Sequence, residues 1–269
     1  RDRLTKQTII EKKFLPYFKD KKLCDITPKD VIYWQNEMMK QTSKKGKEFS
    51  PTYLKTVHNQ LSAIFNYAVR YYGLKDNPAR IAGCMGKETN GEMQFWTKEE
   101  YMKFSKAMMK KDGVFQAFEM LYWCGIRLGE MLALTPSDFD FEKKTVRINK
   151  SYQRLHGKDI ITDPKTAKSN RVVQMPDFLA DEMQDYISRF YTIEPDERIF
   201  ILTKSFLHHE MDRGCKETGV KRIRIHDLRH SHVSLLIEMG FTAVDIANRV
   251  GHESVKITYR CLLYTSPSP

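Results

Sequence analysis

Helix-opening signals recur along this chain, each followed by apolar residues at helical spacing, and nothing else in it restricts the fold as much. Thr27-Pro28-Lys29-Asp30 supplies an N-cap, a proline at the first helical position and an acid at the third, ahead of Val31, Trp34 and Met38. Ser50-Pro51 repeats the signal, and Leu54, Val57, Leu61, Ile64, Phe65 and Ala68 then trace one stripe down to Gly73. Thr97-Lys98-Glu99-Glu100 is a capping box opening a helix through Met109, and residues 114–123 are apolar enough to predict a buried helix. Further helices are predicted over 5–18, 177–191, 205–218, 227–239 and 242–250, the last two hinged at Gly240. Only the middle differs. Short β-branched runs at 145–149, 160–163 and 171–174, split by Gly157-Lys158 and Lys168-Ser169-Asn170, predict a small sheet. The fold class expected is mainly α with a small antiparallel β-sheet.

The 269 residues suffice for two modest domains. Lys and Arg number 45 against 34 Asp and Glu, a net +11, and residues 1–86 alone hold seventeen basic and eight acidic residues, a net +9. Such a basic front part is suited to a polyanion, nucleic acid above all. Residues 1–85 read as an all-helical domain with lysine-rich polar faces. Residues 84–95, with two glycines and no periodicity, read as a linker, and residues 96–260 as a mixed α+β domain. Tyr53, Tyr67, Tyr71 and Tyr72 lie on or beside the apolar stripe, so packing rather than base stacking is expected of them. The five cysteines have no C-x-x-C spacing, which speaks against disulfides and zinc. His208-His209 and the run His226, His230, His232 likewise lack a cysteine or acidic partner at metal-ligand spacing. No apolar run approaches a membrane span and no signal peptide opens the chain, so a cytoplasmic protein is expected. Because the first residue is Arg1, the chain is expected to be a piece of a longer protein.

The motif around which the chemistry gathers is Arg224 to His232, R-I-H-D-L-R-H-S-H, which sets His226 and Arg229 three apart on one helical face. A guanidinium fork matches phosphate oxygens, an imidazole adds a donor, and a helix start adds backbone N–H groups. Taken alone, H-x-x-R is equally an ordinary polar face. Around it stand Arg127 in C-G-I-R-L-G-E-M-L-A-L, Lys165 in D-P-K-T-A-K-S-N-R and His252 in V-G-H-E-S.

This ordered set resembles the catalytic constellation of the tyrosine recombinases, the phage-integrase family, and most closely the integrases of conjugative transposons and temperate phages. The likeness runs over most of the chain. It implies a site-specific DNA recombinase or integrase that cuts and rejoins DNA by phosphodiester transesterification through a covalent 3′-phosphotyrosyl intermediate, integrating or excising a mobile element. It implies that 1–85 is a helical core-binding domain clamping the duplex and 96–260 the catalytic domain. Arg127 and Arg229 would hold the non-bridging oxygens, His226 and His252 would add donors, and Lys165 would protonate the leaving 5′ oxygen. Glu130 and Asp227 would orient these groups, or form plain surface salt bridges. No cofactor or metal is implied. The implied partners are double-stranded DNA, a homo-tetramer on paired DNA sites and accessory DNA-bending or excision factors, in a bacterial cytoplasm at the nucleoid. A further amino-terminal DNA-binding module is common in such proteins.

One member departs from the pattern. The family's tyrosine nucleophile sits nine residues after the Gly-His histidine, where this chain has Cys261. Tyr259 and Tyr264 are displaced by two and three residues. The tail 261–269 has two prolines and no amphipathic stripe, and reads as a foreign sequence joined after Arg260. The alternative is therefore a catalytically inactive DNA-binding protein, either a decayed integrase or a regulator using residues 227–250 as a helix-turn-helix. A third reading, a metal-dependent nuclease, requires activity that vanishes with chelator.

Overall fold

The computed structural model describes residues 2–43, 46–87, 93–155, 157–164, 169–255 and 258–259. They form two compact units, divided between Gly91 and Glu92. The first is all helical. It opens with α1 (Asp2–Ile9), a π-helical turn (Ile10–Phe14) and α2 (Leu15–Phe18). Pro16 has no N–H to give the preceding turn, and the helix widens just ahead of it. The indole of Trp34 donates to the carbonyl of Lys13 in that widened turn at 2.8 Å.

Helix α3 (Pro28–Lys40) starts on the reciprocal Thr27–Asp30 capping box, and α4 (Pro51–Tyr71) on the Ser50 hydroxyl. Their apolar stripes meet in a core containing Val31, Trp34, Met38, Leu54, Val57, Leu61 and Phe65. Asn77 closes the unit. It caps α5 (Pro78–Ile81) through the N–H groups of Ala79 and Arg80 while its amide donates to Ser62 and Asn66 on α4. Met85 still belongs to this core, at 3% exposure.

The tyrosines correct the sequence reading. Tyr67, Tyr71 and Tyr72 are 58%, 62% and 77% exposed and touch one another instead of the core. Tyr67 and Tyr71 sit off the Leu61–Phe65–Ala68 line by one position, enough to turn a helical side chain outward, and Tyr72 lies beyond the helix end. Only Tyr53 is partly covered, and it packs against Phe49.

Trp96 fastens the start of the second unit: its backbone N–H donates to Ser231 and its indole donates to the carbonyl of Lys221. Helix α6 (Lys98–Met108) starts on the Thr97–Glu100 capping box, and α7 (Val114–Trp123) is the central buried helix. After α8 (Leu128–Met131) come β1 (Phe139–Asp140), β2 (Thr145–Ile148), β3 (Ser151–Leu155), β4 (Lys158–Thr162) and β5 (Arg171–Gln174). They are followed by α9 (Asp177–Ser188), α10 (Lys204–Thr218), α11 (Asp227–Glu238) and α12 (Ala243–Val250).

The strands do not make the single sheet read from the sequence. β1, β2 and β5 form one antiparallel sheet, in the order β1-β2-β5 with Val146 opposite Val173, while β3 and β4 form a separate hairpin. Ser151-Tyr152-Gln153-Arg154-Leu155 has no β-branched residue, so propensity hides it. It is held by its partner: Tyr152 donates to Asp159 across the hairpin, and Arg198 lies 3.9 Å over the Tyr152 ring. No helix among the described residues is long and apolar enough to cross a membrane.

Candidate active site

Each described site residue of the second unit stands where a helix starts or ends. Gly125 takes φ +61, and a Cβ there would meet the His232 ring at 2.4 Å, so the chain turns out of α7 only with glycine. Two residues later Arg127 is the N-cap of α8, and Glu130 three positions on accepts from its backbone N–H at 2.9 Å and from its guanidinium at 2.7 Å. The sequence R-L-G-E thus makes half of a capping box: Glu130 takes the cap residue's N–H, while the arginine side chain, which only donates, returns nothing to the helix. Gly129 lets this helix lie against β3, since a Cβ would meet the Ser151 hydroxyl at 2.6 Å.

His226 is the N-cap residue of α11 and Arg229 lies in its first turn. Asp227, 1% exposed, accepts from the backbone N–H and guanidinium of Arg224, which pins the approach to the helix. Asp227 therefore orients Arg224 in this structure. Arg229 is 2% exposed and donates to the Gly125 carbonyl at 2.9 Å. His252 follows α12 through a left-handed Gly251, φ +69, which folds the chain back so that the His252 N–H reaches the Ala247 carbonyl at 2.9 Å. Its Nδ1 meets the Thr258 hydroxyl at 2.9 Å, and Arg127 donates to the Gly251 carbonyl at 3.2 Å.

Arg127, His226, Arg229 and His252 come together: Arg127 reaches the carbonyl next to His252, Arg229 the Gly125 carbonyl two residues before Arg127, and His226 starts the helix that carries Arg229. His252 is pushed down to about 3, by burial first and then by the charges of Arg229, Arg127 and the histidines 230 and 226. His226 keeps an exposed ring but falls to about 4, through the protein packed around it and then His230, Arg229 and Arg127, against the opposing pull of Asp227. Both imidazoles are neutral at ordinary pH, able to donate one hydrogen bond without adding charge. Arg127 borders a cleft of about 430 Å³ with Glu130, Lys150, Gln153, Asp163, Pro164 and Ser169. Lys165 and Cys261 lie outside the described residues.

Three charged residues that hold the elements carrying the site were not read from the sequence. Arg171, on the inward face of β5, gives Glu130 a second guanidinium at 2.9 Å. Burial alone would raise the Glu130 carboxyl, but the bonds from Arg171 and Arg127 outweigh it and hold it below the usual range. The signal was an arginine opening a strand two residues before buried Val173, obscured because Val172 between them is apolar as well. Glu119 is buried in α7 and accepts from Tyr101, Ser105 and Trp123. Arg249, half-buried on α12, donates to His232.

The sequence profile of the phage integrase family matches residues 94–267, and that of the phage integrase N-terminal SAM-like domain matches residues 3–39. The chain belongs to the phage integrase family, the tyrosine recombinases. It is 30% identical to the ICEBs1 integrase of Bacillus subtilis, over 93% of this chain and 70% of that protein. It is 26% identical to the putative prophage phiRv2 integrase of Mycobacterium tuberculosis, over 97% and 69%. Among solved structures it shares its fold with the Tn1549 transposon integrase in complex with a circular intermediate DNA, at a TM-score of 0.77 and 18% identity, covering 100% of this chain and 89% of that one. A lambda integrase dimer bound to a core site matches at a TM-score of 0.64 and 17% identity, covering 98% and 71%. Site-specific recombination of DNA is thus the activity of this tyrosine recombinase's family.

Proposed function

We propose that this chain is the strand-transfer part of an integrase that moves a mobile element, breaking a DNA phosphodiester by transesterification and storing it as a 3′-phosphotyrosyl ester. The observation that supports this reading is the meeting of Arg127, His226, Arg229 and His252 from three separate helix termini. Attack on phosphorus puts charge on the non-bridging oxygens, and two guanidiniums with two neutral imidazole donors match that demand. The Arg127 side chain is 38% exposed and lines the cleft, and its longer bond, to the Gly251 carbonyl at 3.2 Å, is the one a phosphate oxygen would replace. Lys165 is the general acid for the departing 5′ oxygen in this reading, a task suited to an ammonium whose pKa can be tuned. The developing charge is met by guanidiniums, so no step calls for a metal.

In this reading residues 1–85 are the core-binding clamp, residues 96–260 the catalytic domain, and the working form is four copies on paired double-stranded sites with DNA-bending or excision factors. Cys261 stands at the nucleophile's place. A thiol is shorter than a phenol by most of a ring and would give a phosphorothiolate, so the chain with Cys261 is expected to hold its cage complete and idle. A helix-turn-helix regulator is not what the relatives support.

The test is a suicide DNA substrate, with the covalent adduct read on a denaturing gel with and without EDTA. Cys261→Tyr carrying a family-like helical tail is expected to give an EDTA-insensitive adduct, and Arg127→Ala or Arg229→Ala in it to suppress cleavage more than binding. An adduct from the unaltered chain would mean a different nucleophile. EDTA-sensitive cutting without adduct would refute the mechanism.

A further inference from the structure

His232 belongs to the histidine-rich run of the central motif, yet it is 2% exposed and its Nε2 is taken by Arg249. Its surroundings explain it. Arg249 on α12 donates from Nε to His232 Nε2 at 3.1 Å, and from its terminal nitrogen to the carbonyls of Trp123 at 3.2 Å and Gln174 at 2.8 Å. One guanidinium therefore ties α12 to the end of α7, the end of β5 and the middle of α11. These same elements lead into the site. The chain runs from Trp123 through Gly125 to Arg127, His232 is one turn beyond Arg229, and α12 ends at Gly251-His252. A second arginine completes the fastening, since Arg171 donates to the Arg249 carbonyl at 2.9 Å and also holds Glu130.

The partners of Arg249 are two carbonyls and an imidazole, with no carboxylate among the described residues. Arg249 is half-buried, and a guanidinium drawn this far from water is ordinarily given an anion. Neutral acceptors instead give direction without cancelling charge, because each N–H fixes one carbonyl or one ring nitrogen. The imidazole must offer an unprotonated Nε2, and burial beside Arg249 keeps it so. Gly125 completes the fit, as any Cβ there would drive into the His232 ring.

We propose that Arg249, acting through His232, is a positioning residue that sets His252 in register with Arg127 and Arg229 and so assembles the cage for the transferring phosphoryl group. The idea rests on the strand-transfer reading above. It assigns Arg249 no contact with DNA, so it affects the rate and leaves binding alone.

The test compares Arg249→Met, Arg249→Lys, His232→Leu and His232→Gln in the Cys261→Tyr chain with its helical tail. A displacement of about 1 Å in such a cage costs on the order of 10²-fold in rate. Arg249→Met and His232→Leu are expected to slow adduct formation at saturating DNA by about that factor, with duplex Kd within about twofold of the parent. Arg249→Lys should behave like Arg249→Met, because an ammonium cannot span three diverging acceptors. His232→Gln, whose amide oxygen can accept from Arg249, should recover most of the rate. Equal losses in rate and affinity, or His232→Gln as slow as His232→Leu, would overturn the proposal.

If the parent forms no adduct, the strand-transfer reading fails, and imidazole 15N spectra of the unaltered chain decide the positioning separately. Arg249→Met should then move the Nε2 resonance of His232 and also those of His252, leaving His208 and His209 in place. Unmoved His252 resonances would refute the positioning.

Discussion

Removing Glu130 tests how the site is held together. The carboxylate is 5% exposed and accepts from the Arg127 backbone, the Arg127 guanidinium and the Arg171 guanidinium. Glu130→Ala strands two cations unequally. The Arg127 side chain is 38% exposed and recovers its loss in water, whereas the Arg171 side chain is 6% exposed and cannot. Leaving one partner of a buried pair uncompensated costs about 3–5 kcal/mol. Arg171 keeps its bonds to the carbonyls of Arg249 and Ser169, which favours the lower end, and losing the cap on α8 adds about 1 kcal/mol. The expected loss is about 4 kcal/mol. Glu130→Gln, which keeps an acceptor for the cap, should lose about half of that. Arg171→Met combined with Glu130→Ala removes both buried charges, so the double variant should lose much less than the two single losses together. Urea titrations of the full chain, followed by hydrogen exchange in peptides of the second unit, give the three values. Strict additivity would refute the reasoning, since the cost of Glu130→Ala would then not lie in the stranded Arg171.

Gly125→Ala should destabilise the second unit by about 2 kcal/mol or more, from a Cβ 2.4 Å from the His232 ring at φ +61, and thermal melts of the full chain would record it. His232 is pushed down to about 3 from an ordinary value near 6.5. Its folded pKa lies below its unfolded one, so its contribution is fully present above pH 6.5 and is lost as pH falls from there towards 3. His232→Gln should therefore flatten the fall in stability between pH 6.5 and 5 by roughly 2 kcal/mol, read from urea midpoints. Duplex affinity should fall steeply with salt through the net +9 of residues 1–86, and residues 94–260 alone should bind more weakly in filter binding at low salt.

The helices were legible because their starts are written in short local codes. Thr27–Asp30, Ser50 and Thr97–Glu100 cap where the sequence places them, and Gly251 marks the turn before His252. The meeting of Arg127, His226, Arg229 and His252 could be anticipated only through the family pattern, since nothing local joins residues a hundred apart. What stayed hidden depends on distant partners. Ser151–Leu155 becomes a strand through Asp159 and Arg198, Arg171 turns inward to a glutamate 41 positions away, and the tyrosines after Phe65 differ from packing residues by a single helical step. Asp227 sits beside the site residues, but the sequence does not say that its hydrogen bonds go to Arg224.

Helix ends are the first places where a folded chain opens to solvent exchange. Every described member of the cage is mounted on one: Arg127 on the start of α8, His226 and Arg229 on the start of α11, His252 just past the end of α12. On heating, the Cys261→Tyr chain with its helical tail should therefore lose adduct formation before the domain melts, and regain it on cooling as long as the core of α7 has stayed intact.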